Sequence, residues 1–216
     1  VRDFMAFMAC GKHGLTAEEL QTLLKAHAPV LDPGNPPEKL PDMLFARLRR
    51  SLGEYLFERS GVIDFFHTQL KQAVGSRYLP EAEDRRKTHQ VLADYFESRW
   101  REPYVRALDE LPHQLIKAEN KPALKEILSN PDFADQTLSN NRKYELMAYW
   151  RELQGDYAPG PCYLDSMQNL EAVEGETTRV AYLLGTVAEF LRESGIYPEA
   201  EPLYQRSLKI KEKALG

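Results

Sequence analysis

Apolar residues along this chain follow a helical interval in most places and a strand-like interval in one, and that contrast lays out the elements. Phe4, Phe7 and Met8 predict a short first helix. "LTAEEL" predicts a second, in which Thr16 can cap, Glu19 completes a capping box and Leu15 can staple against Leu20. That helix runs to about Lys25, and "APVLDPGNPPEKLP" reads as a Pro/Gly loop. Leu44, Phe45, Leu48 and Leu52 mark one face of a third helix, with Arg47, Arg49 and Arg50 on the other. "EYLFERSGVIDFF" then reads as two β-leaning runs joined by a turn at Ser60-Gly61. Helix, helix, helix, hairpin is the order of a winged helix.

From Phe66 the helical interval returns through Leu70, Ala73, Val74 and Tyr78, and Pro80 ends it. A further helix from about Glu81 to Trp100 carries Val91, Leu92, Tyr95 and Phe96. After Pro103 the pattern is of helical hairpins, with "SNPDF" read as a turn. Helices are predicted over 141–153 and 163–173, and "VEGETT" separates them from a last helix pair.

That last pair carries the strongest internal signal. "YLLGTVAEFLRESGIYPEAEPLYQRSLKIKEKALG" resembles a tetratricopeptide repeat of the kinesin-light-chain-like kind. Leu184, Val187, Ala188 and Leu191 match its first helix, and Gly195 and Tyr197 its turn. Ala200, Tyr204, Ser207 and Leu208 match its second helix. The small Ala188 and Ala200 allow close backbones, Tyr204 is expected to fill the space beside them, and Gly195 permits the reversal. Ser207 departs from the usual alanine, and Pro202 removes one helical hydrogen bond. Forty residues upstream "YELMAYWRELQGDY" repeats the arrangement with Met147, Ala148, Gly155 and Tyr157. Its second half, "APGPCYLDSMQNLE", departs through two prolines and a glycine, so this unit reads as degenerate. The expected fold is mainly α: a winged-helix domain with a small β-hairpin at 1–100, a helical connector at 101–140, and α-α hairpins of tetratricopeptide solenoid type at 141–216.

Composition adds limits. With 43% hydrophobic and 28% charged residues among 216, the chain has globular character. No apolar run approaches the roughly 18–20 residues that span a bilayer, and no signal-peptide pattern opens the chain. Cys10 and Cys162 form no metal or redox motif, which favours buried thiols in a reducing cytoplasmic setting. The net charge of −5 is uneven: residues 1–100 hold 14 basic and 14 acidic side chains, the remainder 14 and 19. Val1 is not an initiator methionine and the chain stops where a helix ends, so a piece of a longer protein is expected.

The front half has a resemblance of its own. "GLTAEEL … LRRSLGEYLFERSGVIDFFHTQLKQAVGSRYL" resembles the winged-helix region that closes the nucleotide module of STAND-type NTPases, including NACHT proteins with tetratricopeptide arrays. "ALDELPHQLIKAEN" and "YELMAYWREL" are similar to the helical connector that precedes their repeats. The resemblance implies that His67, at the hairpin-to-helix junction, matches a histidine that contacts the phosphate of bound ADP. Phe66 stands for that family's methionine, and Thr68 replaces its aspartate. An imidazole can donate to phosphate, and a helix start favours anions. The plainer alternative is a histidine satisfied by its neighbours.

No GxxxxGK[ST] loop is present; "CGKHG" lacks the earlier glycine and the hydroxyl residue. No cofactor is therefore expected in this segment, ATP or ADP belonging to the larger protein. His13, His27, His89 and His113 lack zinc spacing, and no nucleophile elbow occurs, so catalysis by this segment is not expected. The arginines of the third helix raise a DNA-binding regulator as an alternative, against which the neutral front half weighs. The leading expectation is a regulatory, protein-interaction segment of a STAND signal-transduction NTPase. Its repeats would meet a protein or peptide, and its winged helix an intramolecular NTPase module. A tetratricopeptide scaffold without switching is the other alternative.

Overall fold

The computed structural model describes residues 1–29, 36–102 and 104–215. The loop expected at 28–41 therefore lies in part outside the described residues. The chain divides into two compact units, one of 1–98 with 113–119 and the other of 99–112 with 120–216.

In the first unit α1 (Arg2–Cys10), α2 (Ala17–Leu23) and α3 (Asp42–Ser51) precede the hairpin of β2 (Leu56–Arg59) and β3 (Val62–Phe65). The hairpin turns at Ser60 and Gly61, with φ of 53° and 79°, the left-handed pair that a two-residue turn needs. Thr16 accepts from the Glu19 amide at 3.1 Å while Glu19 accepts from the Thr16 amide at 2.6 Å, so the capping box forms as read. One element was not foreseen. Leu15–Thr16 forms a two-residue strand, β1, which pairs with β3 through Leu15↔Ile63 and Thr16↔Val62. The three strands form one antiparallel sheet in the order β1-β3-β2. Gly14, at φ +77°, lets the chain enter this strand; a Cβ there would meet the Ile63 carbonyl oxygen at 2.4 Å.

Helices α4 (Thr68–Tyr78) and α5 (Ala82–Glu97) close the unit. Phe4, Met8, Leu15, Leu20, Ile63 and Phe96 are fully buried together in its core. Two expectations need correction: Phe66 and Val91, read as core positions of helical faces, are 56% and 45% exposed. Phe66 still belongs to the strand side of the junction, since its amide bonds to the Tyr55 carbonyl at 3.1 Å.

Helix α6 (Val105–Lys117) contributes its residues from His113 onward to this unit. Gln114, fully buried, donates to the Cys10 carbonyl at 3.0 Å and takes up the Nδ1 of His89 at 2.6 Å. Burial holds the His89 pKa below its ordinary value, the cations of Lys117, Lys71 and Arg85 add to this, and the Gln114 hydrogen bond opposes it. Below roughly pH 6.5 the unfolded chain takes up a proton that the folded imidazole resists. The stability contribution is thus complete above that pH and falls as pH drops toward the folded value. We expect the urea midpoint to decline between pH 7.5 and 5.5, and to decline less in His89→Asn, which keeps a donor at the Nδ1 position. Equal slopes would remove His89 as the cause.

The second unit holds α7 (Lys121–Leu128), α8 (Pro131–Ser139), α9 (Lys143–Glu152), α10 (Pro159–Glu174), α11 (Thr178–Glu193) and α12 (Tyr197–Leu215). "SNPDF" does more than turn: Asn130 caps α8 by accepting from Asp132 and Phe133, and Pro131 opens the helix. Helices α11 and α12 form the tight pair expected of a repeat. Gly195 (φ 78°) and Ile196 end α11 by bonding to the Arg192 and Leu191 carbonyls, a Schellman closure. The upstream unit is looser. Helix α10 packs chiefly on α11 and α12, while α9 packs on α7 and α8.

Candidate functional site

Two places carry the candidate residues, one in each unit. In the first, His67 is the N-cap residue of α4, in extended conformation, and its carbonyl accepts from Leu70 and Lys71 at 3.0 and 3.2 Å. Its ring is exposed and makes no capping bond. Phe66 beside it stacks on Phe57 with ring centres 5.5 Å apart. Thr68 is the first residue of the helix and is also exposed, so the amides of this first turn have no side-chain acceptor from His67.

In the second unit the candidate repeat residues lie on α11, on α12 and at the turn between them. Leu184, Val187, Ala188 and Leu191 are buried on α11, and Ala200 is buried on α12. Ser207 is buried too, and its hydroxyl donates to the Ala181 carbonyl at 2.6 Å, satisfying the polar atom that alanine would lack. Ala181, Gly185 and Ala188 form a row of small residues on α11; a Cβ on Gly185 would stand 3.5 Å from the Ser207 hydroxyl. Tyr204 does not fill the interior as expected: it is half-buried, and its hydroxyl donates to Glu189. Tyr197 and Leu208 are 64% and 57% exposed. Pro202 lies within α12, which continues through it.

Between α9 and α11 the backbones stand apart and leave a groove. One cavity of about 700 Å³ lies along Lys143, Tyr144, Tyr182, Gly185 and Glu189, with Lys211 of α12 at its side. A second, of about 620 Å³, lies along Met147, Trp150, Arg151, Tyr157 and Ile196. Both are walled by Phe190 and Glu193, so they form one run. Phe190 is held edge-on to Tyr163, and Tyr163 packs on Trp150, with ring centres 5.9 and 5.6 Å apart. The Trp150 indole donates to the Tyr163 hydroxyl at 3.4 Å inside this stack. Tyr149 is anchored from α9 to the first half of α6, donating to Asp109 at 3.0 Å; burial, then Asp109, holds its phenol above the ordinary range.

The charges in the groove are mostly matched. Glu189 is held down to about 2 by its hydrogen bonds from Arg192 and then Tyr204. Lys143 pairs with Glu193 at 3.0 Å. On the outer side Arg206 of α12 joins Glu171 of α10 and, at 2.7 Å, Glu176 of the connecting loop. Lys213 adds a contact to Glu176 at 2.8 Å. These ties link α12 to α10 and to the loop that follows it.

Sequence reasoning named neither Tyr144 nor Lys211 nor Arg151. Exposed aromatics in the later helices were a possible signal, but the exposed face of each helix is set by neighbours distant in sequence. Among the described residues no cluster of His, Cys, Asp and Glu could hold a metal ion, and no helix is long and apolar enough to cross a membrane. Burial pushes the Cys10 thiol up to about 12, which removes it as a nucleophile.

No protein-family model and no solved structure matches the chain. Curated proteins do. It is 26% identical to the TPR repeat-containing protein DDB_G0287407 of Dictyostelium discoideum over 97% of its own length. It is 31% identical to mouse nephrocystin-3 over 72%, and 32% identical to the human NACHT domain- and WD repeat-containing protein 1 over 69%. The chain spans 13%, 12% and 10% of these three relatives. With a helix-and-hairpin front running on into a tetratricopeptide-like helix pair, the chain is similar to a short stretch of each of these proteins, one of them named for its TPR repeats and one for a NACHT domain.

Proposed function

We propose that the chain is the regulatory and protein-interaction stretch of a STAND signal-transduction NTPase. Residues 1–100 act as its winged-helix domain, 101–140 as a helical connector, and 141–216 as tetratricopeptide-like repeats, one degenerate and one regular. The repeats take a protein or peptide. The winged helix packs on an NTPase module of the same protein, and His67 senses the ATP or ADP held there. This stretch does no catalysis itself, and it works in the cytoplasm, where Cys10 and Cys162 stay as free thiols.

The observation that carries the interaction reading is the continuous groove along α9 and α11, in a chain whose relatives bear repeat and NACHT names. For the switch, support comes from the exposed His67 ring at the start of α4. A partner shifts such a switch only through different affinities for its two states. In the full-length protein, His67→Ala is expected to speed ADP release about tenfold or more, the size of one hydrogen bond to a charged group. Unchanged ADP release with unchanged partner binding would leave a scaffold without a switch.

A further inference from the structure

The sheet of the first unit ends on β2, which pairs with β3 alone. The ladder decides which backbone groups that edge leaves open. The Phe66 amide donates to the Tyr55 carbonyl at 3.1 Å, and hydrogen-bonded pairs alternate along antiparallel strands. Tyr55, Phe57 and Arg59 therefore turn their N–H and C=O toward β3, while Leu56 and Glu58 turn theirs to the open side. Ile63 agrees: it lies opposite Glu58 and pairs onward with Leu15 of β1. Among the described residues nothing bonds to the open groups of Leu56 and Glu58. Side chains alternate in the same way. Leu56, Ile63 and Phe65 are buried, whereas Tyr55 and Phe66 are exposed and Phe57 stacks on Phe66. Arg59, also exposed on this outer face, has no side-chain partner among the described residues.

We infer that β2 joins two copies of this chain, antiparallel, about a twofold axis at Phe57, so that their sheets become one of six strands. The strand's own sequence selects this occupant. A partner strand must set open-side residues opposite open-side residues and outer side chains beside outer ones, so registers differ by steps of two. With Phe57 opposite Phe57, Leu56 of each copy faces Glu58 of the other, and each of these pairs exchanges two hydrogen bonds. Arg59 then faces Tyr55 of the second copy, a cation against an aromatic ring. A shift of two residues one way sets Glu58 against Glu58, and the other way Glu58 against Glu54. Of these three registers only the central one keeps carboxylates apart. A strand that matches itself in charge and hydrogen bonding is what a twofold contact requires. An edge of four residues is smaller than a standard interface, so the pair is weak and forms as concentration rises.

The test uses the whole chain. Sedimentation velocity of the wild type is expected to shift from the monomer toward twice its mass with concentration, and Glu58→Pro to abolish that shift. Proline lacks the N–H that Glu58 offers the open side and spares the bonds to β3, so the urea midpoint should hold. Phe57→Cys puts a thiol on the axis, where facing Cβ atoms come within about 4.5–5.5 Å, near disulfide reach. It should cross-link to a covalent dimer under mild oxidation. Val62→Cys, on the same face one strand further in, should cross-link far less, as should the wild type, whose Cys10 and Cys162 are buried. A wild type that stays monomeric, a Glu58→Pro dimer as strong as the wild type's, or equal cross-linking at 57 and 62 would overturn the pairing. So would growth beyond the dimer, because a twofold contact closes on itself.

Discussion

Gly14→Ala is expected to leave the first unit without a stable fold. Two penalties add there. A residue with a Cβ at φ +77° is disfavoured by roughly 1–2 kcal/mol. The new methyl would also lie 2.4 Å from the Ile63 carbonyl oxygen and 2.9 Å from the side chains of Val62 and Asp64. None of these is the free end of a flexible side chain, so β1 and β3 must separate, and overpacking of this kind costs about 1–3 kcal/mol or more. The sum, about 2–5 kcal/mol, is a large part of the whole stability of a small domain. Both tryptophans, Trp100 and Trp150, lie in the second unit, so indole fluorescence reports that unit alone. Far-ultraviolet circular dichroism in urea should lose an early transition in Gly14→Ala, with the fluorescence transition moving far less. Gly160→Ala is the matched control: the three atoms nearest its Cβ would all belong to the Glu199 side chain, the first at 2.8 Å, and that side chain can swing aside. A wild-type midpoint for Gly14→Ala would refute the close approach.

Phe190→Ala should be the most damaging single change in the second unit. The ring is 2% exposed and stacks on Tyr163, which stacks in turn on Trp150. Truncation of a buried phenylalanine costs about 3–5 kcal/mol, part transfer and part residual cavity. Here the cavity would open into the groove from both sides, since Phe190 walls each half. The indole transition should therefore shift to lower urea, and the emission maximum of Trp150 should move to longer wavelength as water reaches it. Phe190→Leu, which keeps most of the volume, should recover the greater part of the midpoint. If Phe190→Ala left the fluorescence transition unmoved, the aromatic stack would not be the support of the groove.

Much of the architecture was legible because it depends on short-range chemistry. The capping box at Thr16 and Glu19, the Ser60-Gly61 turn and the glycines at 155 and 195 each act within a few residues, and all four adopt the geometry their spacing predicts. Strand β1 was not legible. Two residues carry no periodicity, and Leu15 and Thr16 become a strand only because Ile63 and Val62, some fifty positions on, present a free edge. Helix α8 was missed for a different reason: Asn-Pro opens turns and helices alike, and only the packing of Phe133 and Ala134 into the core settles which one forms. The exposure of Val91, Tyr197 and Leu208 against an apolar reading has the same origin, since a helical interval defines a face but not whether a neighbour covers it. The groove was the least legible part. Its lining comes from α9, α11 and α12, whose mutual placement no local pattern displays.

Helix α6 has a consequence for anyone dissecting the protein. The chain leaves the first unit after Ser98, re-enters it at His113 immediately beyond Pro112, and departs again after Glu119. A terminus placed anywhere in 99–119 therefore strips one half of something it needs. Ending at Pro112 would remove the Gln114 amide that holds the Cys10 carbonyl, and beginning at Asn120 would remove the Asp109 carboxylate that holds Tyr149. Excised halves intended for expression should overlap through this helix rather than abut, and limited proteolysis should find its first scissile sites elsewhere.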